Sequence, residues 1–587
     1  MFNGEIYNYQ ELVPELQALG HVFRTRSDTE VVLAAYDRWG TAAVERLAGM
    51  FAFALWDDHT RTLVLARDRL GEKPLYFTQQ QGRFAFASEP GALAALPWVS
   101  REPAPAAIAR YLVHGYFAGR DSAYASIHQL PPAHVLTVRD GVERLRRYWR
   151  PWDSLVSSAA GSTLPQDRRE TTLIRTTRDA LAEAVATRVP AEVPFGVFLS
   201  GGIDSGLVAV LAARAWGRAF PTFSMRIAHP GYDEAPLAKR VAASIGSEHH
   251  EVTMDVHGAE RAFTSWVATM DQPLGDPSLL PTWLLSEYAS RHVPVVLTGE
   301  GGDELFAGYP TYLGHRHATL AARLPAPVSA AALALARRFR PRHHHVTIAH
   351  LLERFLNVRG LSPFERHLAW FGTSRPSEAL ALLAPGLRAA VTEHEPLGHA
   401  RALDARLTDM GMLAPGASVP LTAYQLLDFE TYLAGDLLTK VDRCTMAHGV
   451  ESRAPFLRPS LIAHALGLPE SLRLRGTSGK WVLKQAAREL LPQDILDRRK
   501  QGFSPPFSTW SRGPLRGLVV DALSPRRVAR AGVLDPDAVQ AVLREHLEAR
   551  EDRGRLLWTL LALQAWADHW LVGQPDTTDS PTGLATR

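Results

Sequence analysis

The chain is poor in several things that would settle a function class. Among its 587 residues there is one cysteine, Cys444, so no disulfide forms within the chain. A disulfide-stapled secreted fold and a structural zinc held by several thiolates are both excluded, and a reducing cytoplasmic setting fits. Apolar runs stay well short of the ~20 residues that a membrane helix needs. The opening MFNGEIYNYQEL has neither a basic lead nor an apolar stretch, so it does not read as a signal peptide. The net charge is only +3, which gives no electrostatic case for nucleic acid or a membrane surface as a partner. With 46% apolar and 21% charged residues, the composition is that of a globular protein and not of a disordered or collagen-like one.

What is present falls into two regions. Up to about Trp152 the pattern is strand-rich. Met50–Trp56 and Thr62–Ala66 read as buried strands around a polar turn, Arg83–Ser88 alternates like another, and Glu30–Trp39 has helical spacing. Residues 1–152 are expected to form a packed two-sheet domain, and the Ser- and Gly-rich stretch 153–170 a linker. From 171 to 572, strand candidates Phe195–Leu199, Thr222–Met225, His249–Val252 and Val293–Leu297 alternate with helical stretches. That alternation predicts a parallel, doubly wound sheet, giving way to helices beyond about Pro310. Residues 325–345 read as an Ala/Arg-rich insertion ending in His343–His345, a solvated loop, and 573–587 as a disordered tail.

Two glycine-rich segments carry the chemistry. In VFLSGGIDSG (Val197–Gly206) an apolar strand runs into Ser200-Gly201-Gly202 and then a helix-forming run. Glycines admit close backbone approach, and a helix N-terminus offers N–H groups to a phosphate. Ser200 and Ser205 add hydroxyls, and Asp204 adds a carboxylate suited to a magnesium ion on phosphates. A turn with glycines needed only for geometry is equally compatible with this segment taken alone. The Walker pattern is absent. LTGEGGDELFAGY (Leu297–Tyr309) repeats the strand–glycine–helix plan, with Glu300, Asp303 and Glu304 among the glycines. Two such loops at the carboxyl edge of one sheet would face each other, with Asp204 and Asp303 on one magnesium. RRKQGFSPP (Arg498–Pro506) offers Lys500 to neutralise developing charge, with a solvated basic turn as the bland alternative. The charges of Leu437–Leu457, including Lys440, Asp442, Arg443, Glu451 and Arg453, are too many for a core helix unless they pair or face a site.

Together these segments resemble the asparagine synthetase family of glutamine-dependent amidotransferases. FNGEIYNYQEL (Phe2–Leu12), SDTEV (Ser27–Val31), GMFAFALWD (Gly49–Asp57), ARDRLGEKPLY (Ala66–Tyr76) and FASE (Phe86–Glu89) resemble parts of its glutaminase domain. The resemblance implies an α/β fold: an N-terminal-nucleophile-type α/β/β/α sandwich, here incomplete at its start, followed by an ATP pyrophosphatase-type domain with a helical C-terminal region. It implies that a carboxylate, usually that of aspartate, is activated by ATP as an acyl-adenylate and then attacked by ammonia drawn from glutamine. By the same resemblance Leu199, Met225, Thr298 and Gly299 surround the nucleotide, and Ser200, Gly201, Gly202 and Ser205 hold pyrophosphate. Asp204 and Asp303 bind magnesium, and Glu300 and Lys500 serve the acyl side. Asn3, Gly4, Glu5 and Asp28 hold glutamine, and a homodimer is the family's tendency.

Some residues depart from the family's pattern. The family's glutaminase nucleophile is an N-terminal cysteine, whereas this chain starts Met1-Phe2 and has no cysteine in that region. Methionine has no ionisable thiol to form a thioester. A longer natural protein beginning Met-Cys is one expectation, and the use of free ammonia is the other. Thr298 replaces a usual serine, and Arg458 stands where an aspartate is common. Two further functions stay open: an intramolecular amide ligase, similar to β-lactam synthetases and peptide macrocyclases, and a non-catalytic partner protein.

Overall fold

The computed structural model describes residues 1–153, 166–190, 193–229, 232–322, 331, 358, 360–413, 418–498 and 504–572. The 325–345 insertion but for residue 331, His343–His345, Lys500 and the 573–587 tail lie outside the described residues.

The N-terminal region is built on two antiparallel sheets. β1 (Phe2–Ile6), β2 (Gly49–Asp57) and β3 (Thr62–Arg67) pair in sequence, and β4 (Tyr76–Gln80) and β5 (Arg83–Ala87) form a hairpin joined by β6 (His128–Gln129). β7 (His134–Arg139) and β8 (Val142–Arg147) complete the first sheet, in the order β1-β2-β3-β7-β8. Period-two alternation lets β2 and β3 serve two cores at once. Phe51, Phe53, Val64 and Ala66 pack beneath the helices Tyr9–Ala18 and Asp28–Trp39, whereas Ala52, Ala54 and Leu65 meet Leu75 and Phe77 of the second sheet's side. The second helix starts where Ser27 accepts the Thr29 N–H, a serine N-cap.

A helix, Gln166–Ala186, begins inside the segment read as linker. Beyond it lies the predicted parallel sheet: β9 (Phe195–Phe198), β10 (Pro221–Ile227), β11 (Glu248–Met254), β12 (Val295–Leu297) and β13 (Glu451–Arg453). Their order is β11-β10-β9-β12-β13, all neighbours parallel. Chain order reverses between β9 and β12, which is the switch point where open α/β sheets bind ligands. β13 comes from the region read as mostly helical. Three residues bounded by Gly449 and a proline carry too little periodicity to announce a strand.

A buried ionic seam joins the two regions. Asp68 accepts the N–H groups of Phe51, Leu70, Gly71, Glu72 and Lys73, and so folds the ARDRLGEKP loop around one carboxylate. Arg67, also buried, donates to the carbonyls of Gly71, Lys73 and Leu130. The loop thereby aims Lys73 at Asp442 across the junction, at 2.9 Å, with both side chains buried. Among the described residues no helix is long and apolar enough to cross a membrane.

Candidate active site

The first glycine loop leaves β9 after Leu199, whose N–H donates to the Phe223 carbonyl. Gly201 has φ 72°, and a Cβ there would lie 2.9 Å from Leu237 Cβ, so two constraints call for glycine. Ser205 Oγ accepts the Ser200 N–H at 3.1 Å and sits 3.1 Å from Ser200 Oγ. Gly202 caps the helix Ile203–Trp216 without a side-chain partner, which leaves first-turn N–H groups for an anion.

The second loop leaves β12, the parallel neighbour of β9, at the same sheet edge. The Thr298 N–H donates to the Arg453 carbonyl at 2.9 Å, and the short helix Gly302–Phe306 follows. The two loops touch. A Cβ on Gly299 would come within 2.9 Å of the Ser205 nitrogen, and one on Gly302 within 2.6 Å of Asp204 Oδ1. The glycines of the second loop are thus what lets Asp204 approach it.

Where the loops meet, one lysine binds both aspartates. Lys480 Nζ donates to Asp204 Oδ2 and lies 2.7 Å from Asp303 Oδ1. The Lys480 side chain is 7% exposed, and its backbone N–H donates to the Phe306 carbonyl at 2.9 Å. Gly308 leaves the room this needs, since a Cβ there would lie 1.9 Å from Asp303 Oδ1 and 2.2 Å from Lys480 Cε. The sequence reading singled out Lys500, which lies outside the described residues, and passed over Lys480. The available signal was RGTSGK directly before the helix Trp481–Ala487. A lysine there faces the positive end of the helix dipole and needs a compensating carboxylate.

A cavity of about 390 Å³ opens over these loops. Leu199, Ser200, Asp204, Ser205, Met225, Thr298, Gly299, Glu300 and Asp303 all line it, whereas Gly201 and Gly202 shape the loop behind. The Thr298 hydroxyl, buried there, has no hydrogen-bond partner among the described residues. Away from the loops the wall changes to Asp276, Tyr309, Tyr432, Asp436 and Lys440, with His114 reaching in from the N-terminal region. Lys440 Nζ donates to Asp276 Oδ2 and Ser278 Oγ, both at 2.8 Å. The Tyr309 hydroxyl donates to Glu304 Oε1 at 2.5 Å. Burial, with Asp303 as next neighbour, pushes the Glu304 carboxyl up to about 8, so it is largely protonated at neutral pH.

The predicted glutamine residues separate. Asn3 lines a second cavity, of about 750 Å³, together with Phe2, Glu89, Asp271 and Arg443. Gly4 has φ 140° and lies so close to β2 that a Cβ would be 2.0 Å from the Met50 carbonyl oxygen. Asp28 accepts the Ile6 N–H at 3.0 Å. The Glu5 carboxylate turns to Arg453 across the junction, at 3.3 Å. One helical stretch separates the two cavities: Gly435 and Thr439 line the larger, Asp436 and Lys440 the smaller. The crowded charges of 437–457 have partners: Asp442 with Lys73, Arg443 with Glu89 and Asp271, Arg453 with Glu451 and Glu5. Arg458 donates to Glu183 at 2.6 Å, which accounts for a cation at that position.

Residues 176–568 match the Asparagine synthase family model, and residues 1–149 match that of the Glutamine amidotransferase domain. The chain belongs to the asparagine synthase family. It is an asparagine-synthetase-type, ATP-using ligase carrying a glutamine amidotransferase domain. A putative asparagine synthetase (glutamine-hydrolyzing) of Mycobacterium bovis is 33% identical, covering 100% of this chain and 87% of that protein. Asparagine synthetase (glutamine-hydrolyzing) 1 of Bacillus subtilis is 29% identical over 96% of this chain and 84% of its own. Amidase chyE of Penicillium rubens is 27% identical over 94% and 83%. Asparagine-synthase relatives thus carry more than one named activity.

Proposed function

We propose that this enzyme activates a carboxylate, aspartate or a similar acid, with ATP and converts it to the amide, releasing AMP and diphosphate. The observation that carries the reading is the closure of two glycine loops around Lys480, Asp204 and Asp303 at one end of a 390 Å³ cavity. The nucleotide lies against Leu199, Met225, Thr298 and Gly299, and its phosphates against Ser200, Ser205 and the N–H groups that follow Gly201 and Gly202. The substrate carboxylate attacks the α-phosphorus, and diphosphate leaves toward Lys480, whose ammonium offsets the charge that builds there. Ammonia then attacks the acyl carbon, its surplus proton passes to Glu300, and AMP departs.

The Asp204 and Asp303 carboxylates fit a magnesium ion. They are hard oxygen donors drawn to one cationic centre, and magnesium on phosphates needs only one or two protein carboxylates. When bound, the metal supplies charge neutralisation on the phosphates. Lys480, in contact with both aspartates, holds that pair together without it. Lys500 is retained as a proposed acyl-side residue.

The nitrogen is proposed to arrive as ammonia, drawn from glutamine or taken up free. Cys444 is buried, lines neither cavity, and has its thiol pushed up by burial, so this residue does not serve as a glutaminase nucleophile. Asn3, Gly4, Glu5 and Asp28 remain candidates for holding glutamine in the larger cavity. Division at the 153–170 segment into an amidotransferase-like and a synthetase unit accompanies this reading. Incubation with ATP, magnesium, aspartate and ammonium tests it: diphosphate and asparagine should appear together. Diphosphate released only with another carboxylate would move the substrate, and none with any carboxylate would sink the reading.

A further inference from the structure

The second glycine loop rests on a segment that the chemistry above does not use. β13 is three residues long and has one strand neighbour, β12, with Arg453 opposite Leu297 at the last step of the ladder. The bond that follows runs from the Thr298 N–H to the Arg453 carbonyl, so the loop departs from Arg453 itself. Further on, Gly301 lies against the continuation of the same segment, where a Cβ would be 2.4 Å from Leu457 Cδ2. The loop therefore takes its height over the sheet edge from residues 453–457. A short edge strand has little of its own to hold it, and this one is tied down through side chains. Arg453 is 6% exposed. It donates through Nε to Glu451 at 2.6 Å and through Nη1 to the Arg188 carbonyl at 3.3 Å, while Nη2 lies 3.3 Å from Glu5 Oε2. Its guanidinium also covers the Tyr7 ring, 5.5 Å from the centroid. Glu5 is on β1 and Tyr7 just beyond it. At the other end of the segment, Arg458 donates to Glu183 of the helix Gln166–Ala186. Burial raises the Glu5 carboxyl above its usual range, with Asp28 and Glu451 adding to the rise and Arg453 opposing it. One residue thus joins the N-terminal region by its side chain and the nucleotide loop by its backbone. The Thr298 hydroxyl, buried in the cavity wall without a partner among the described residues, is the group whose placement this joint controls.

We infer that Arg453 is a positioning residue for the nucleotide loop, anchored on Glu5, so that the N-terminal region sets the stance of Thr298 toward ATP. The inference rests on the ligase reading and goes beyond it, because β1 then serves the nucleotide site even when ammonia is supplied free. Glu5 gains a task independent of any contact to glutamine. Arginine suits the position, since its planar fork reaches several acceptors at once and an ammonium does not.

Ammonium-dependent diphosphate release, with no glutamine present, tests this in the wild type, Arg453→Lys, Glu5→Gln and the double variant. KM for ATP should rise at least about tenfold in Arg453→Lys, because a small misplacement of a positioning group is costly. In Glu5→Gln it should rise roughly threefold, the scale of a part-exposed ion pair. KM for aspartate should rise less than KM for ATP in both. The double variant should match Arg453→Lys, since both changes break one connection. The Glu5 side chain is 32% exposed, so Glu5→Gln should melt with the wild type, which separates loop placement from folding. Lys73→Ala breaks the other junction pair and should leave KM for ATP at the wild-type value. An unchanged KM for ATP in Glu5→Gln would overturn the inference and leave the ligase standing. So would effects that multiply in the double variant, an equal rise in KM for ATP and aspartate with a lowered melt, or the same rise in Lys73→Ala. Absence of diphosphate from the wild type with every acid would remove the ligase reading; ATP affinity, read from the rise in melting temperature with ATP, then decides this inference by the same ranking of variants.

Discussion

Two buried lysines invite comparison. Lys73 faces one carboxylate, Asp442, in a seam sealed from solvent, and the pair is charge-matched. Lys480 faces two, Asp204 and Asp303, both of which line a cavity. A matched pair has nothing left to offer a ligand, so its work is to hold two regions in register. A lysine shared by two cavity-lining carboxylates sits where a charged ligand can reach that cluster. Burial alone does not separate a structural ion pair from a functional one; the presence of open space beside it does.

The sharpest way to break this contrast is Asp303→Ala. It should abolish diphosphate release, with a loss of at least about a hundredfold in kcat/KM, as for removal of a preorganised electrostatic partner. Near-normal turnover would refute the assignment of Asp303 to the phosphates. Lys480→Ala should cost kcat by a similar factor with a smaller change in KM for the acid, and Lys480→Arg should recover only part of it, because a planar guanidinium does not replace a point charge between two carboxylates.

At the seam the effect should be on stability. Lys73→Ala leaves Asp442 buried without its partner and should destabilise by roughly 3–5 kcal/mol in denaturant unfolding. Activity per folded molecule should hold; a large loss of turnover at unchanged stability would place Lys73 in the chemistry instead.

Glu304, beside Asp303, offers a pH test of the cavity-side cluster. Its folded pKa is raised to about 8 from an ordinary 4.5. The folded state therefore binds the extra proton between those values, and stability from this group is present at low pH and lost as pH rises through the folded pKa. Glu304→Gln should flatten that decline, so that its melting temperature overtakes the wild type's as pH rises toward 8. Parallel melting curves across that range would contradict the shift. The smallest effect is expected from Asn3→Ala, which lies across the shared wall: ammonia-dependent synthesis should change by less than about twofold, as for a site that does not contact the reacting atoms.

The comparison also shows what the sequence made legible. The glycine loops were readable because strand, glycine and helix lie within a dozen residues, and the parallel order of β9 and β12 brings Asp204 and Asp303 together as the alternating pattern implied. Lys480 was not readable as a partner of Asp204, 276 residues away, nor Lys73 as a partner of Asp442, 369 residues away. Long-range charge pairs leave no periodic trace. The crowding of charge in 437–457 announced that partners exist but not where. Asp436 was harder still, since a single acid in the run YLAGDLLTK looks like an ordinary helix surface until the backbone widens and buries it.

The stretch around Gly435 and Asp436 works as a common axle for two chambers. Adjacent positions on it serve opposite rooms, and a Cβ on Gly435 would meet the Phe117 carbonyl oxygen at 2.5 Å. Its turn-by-turn phase is therefore shared property. Lengthening it by one residue would swing the acid and the lysine four places on toward the wrong room together, while single exchanges can retune one chamber at a time. Variation in relatives of this enzyme is expected to come here as substitutions, with insertions and deletions kept to the loops on either side.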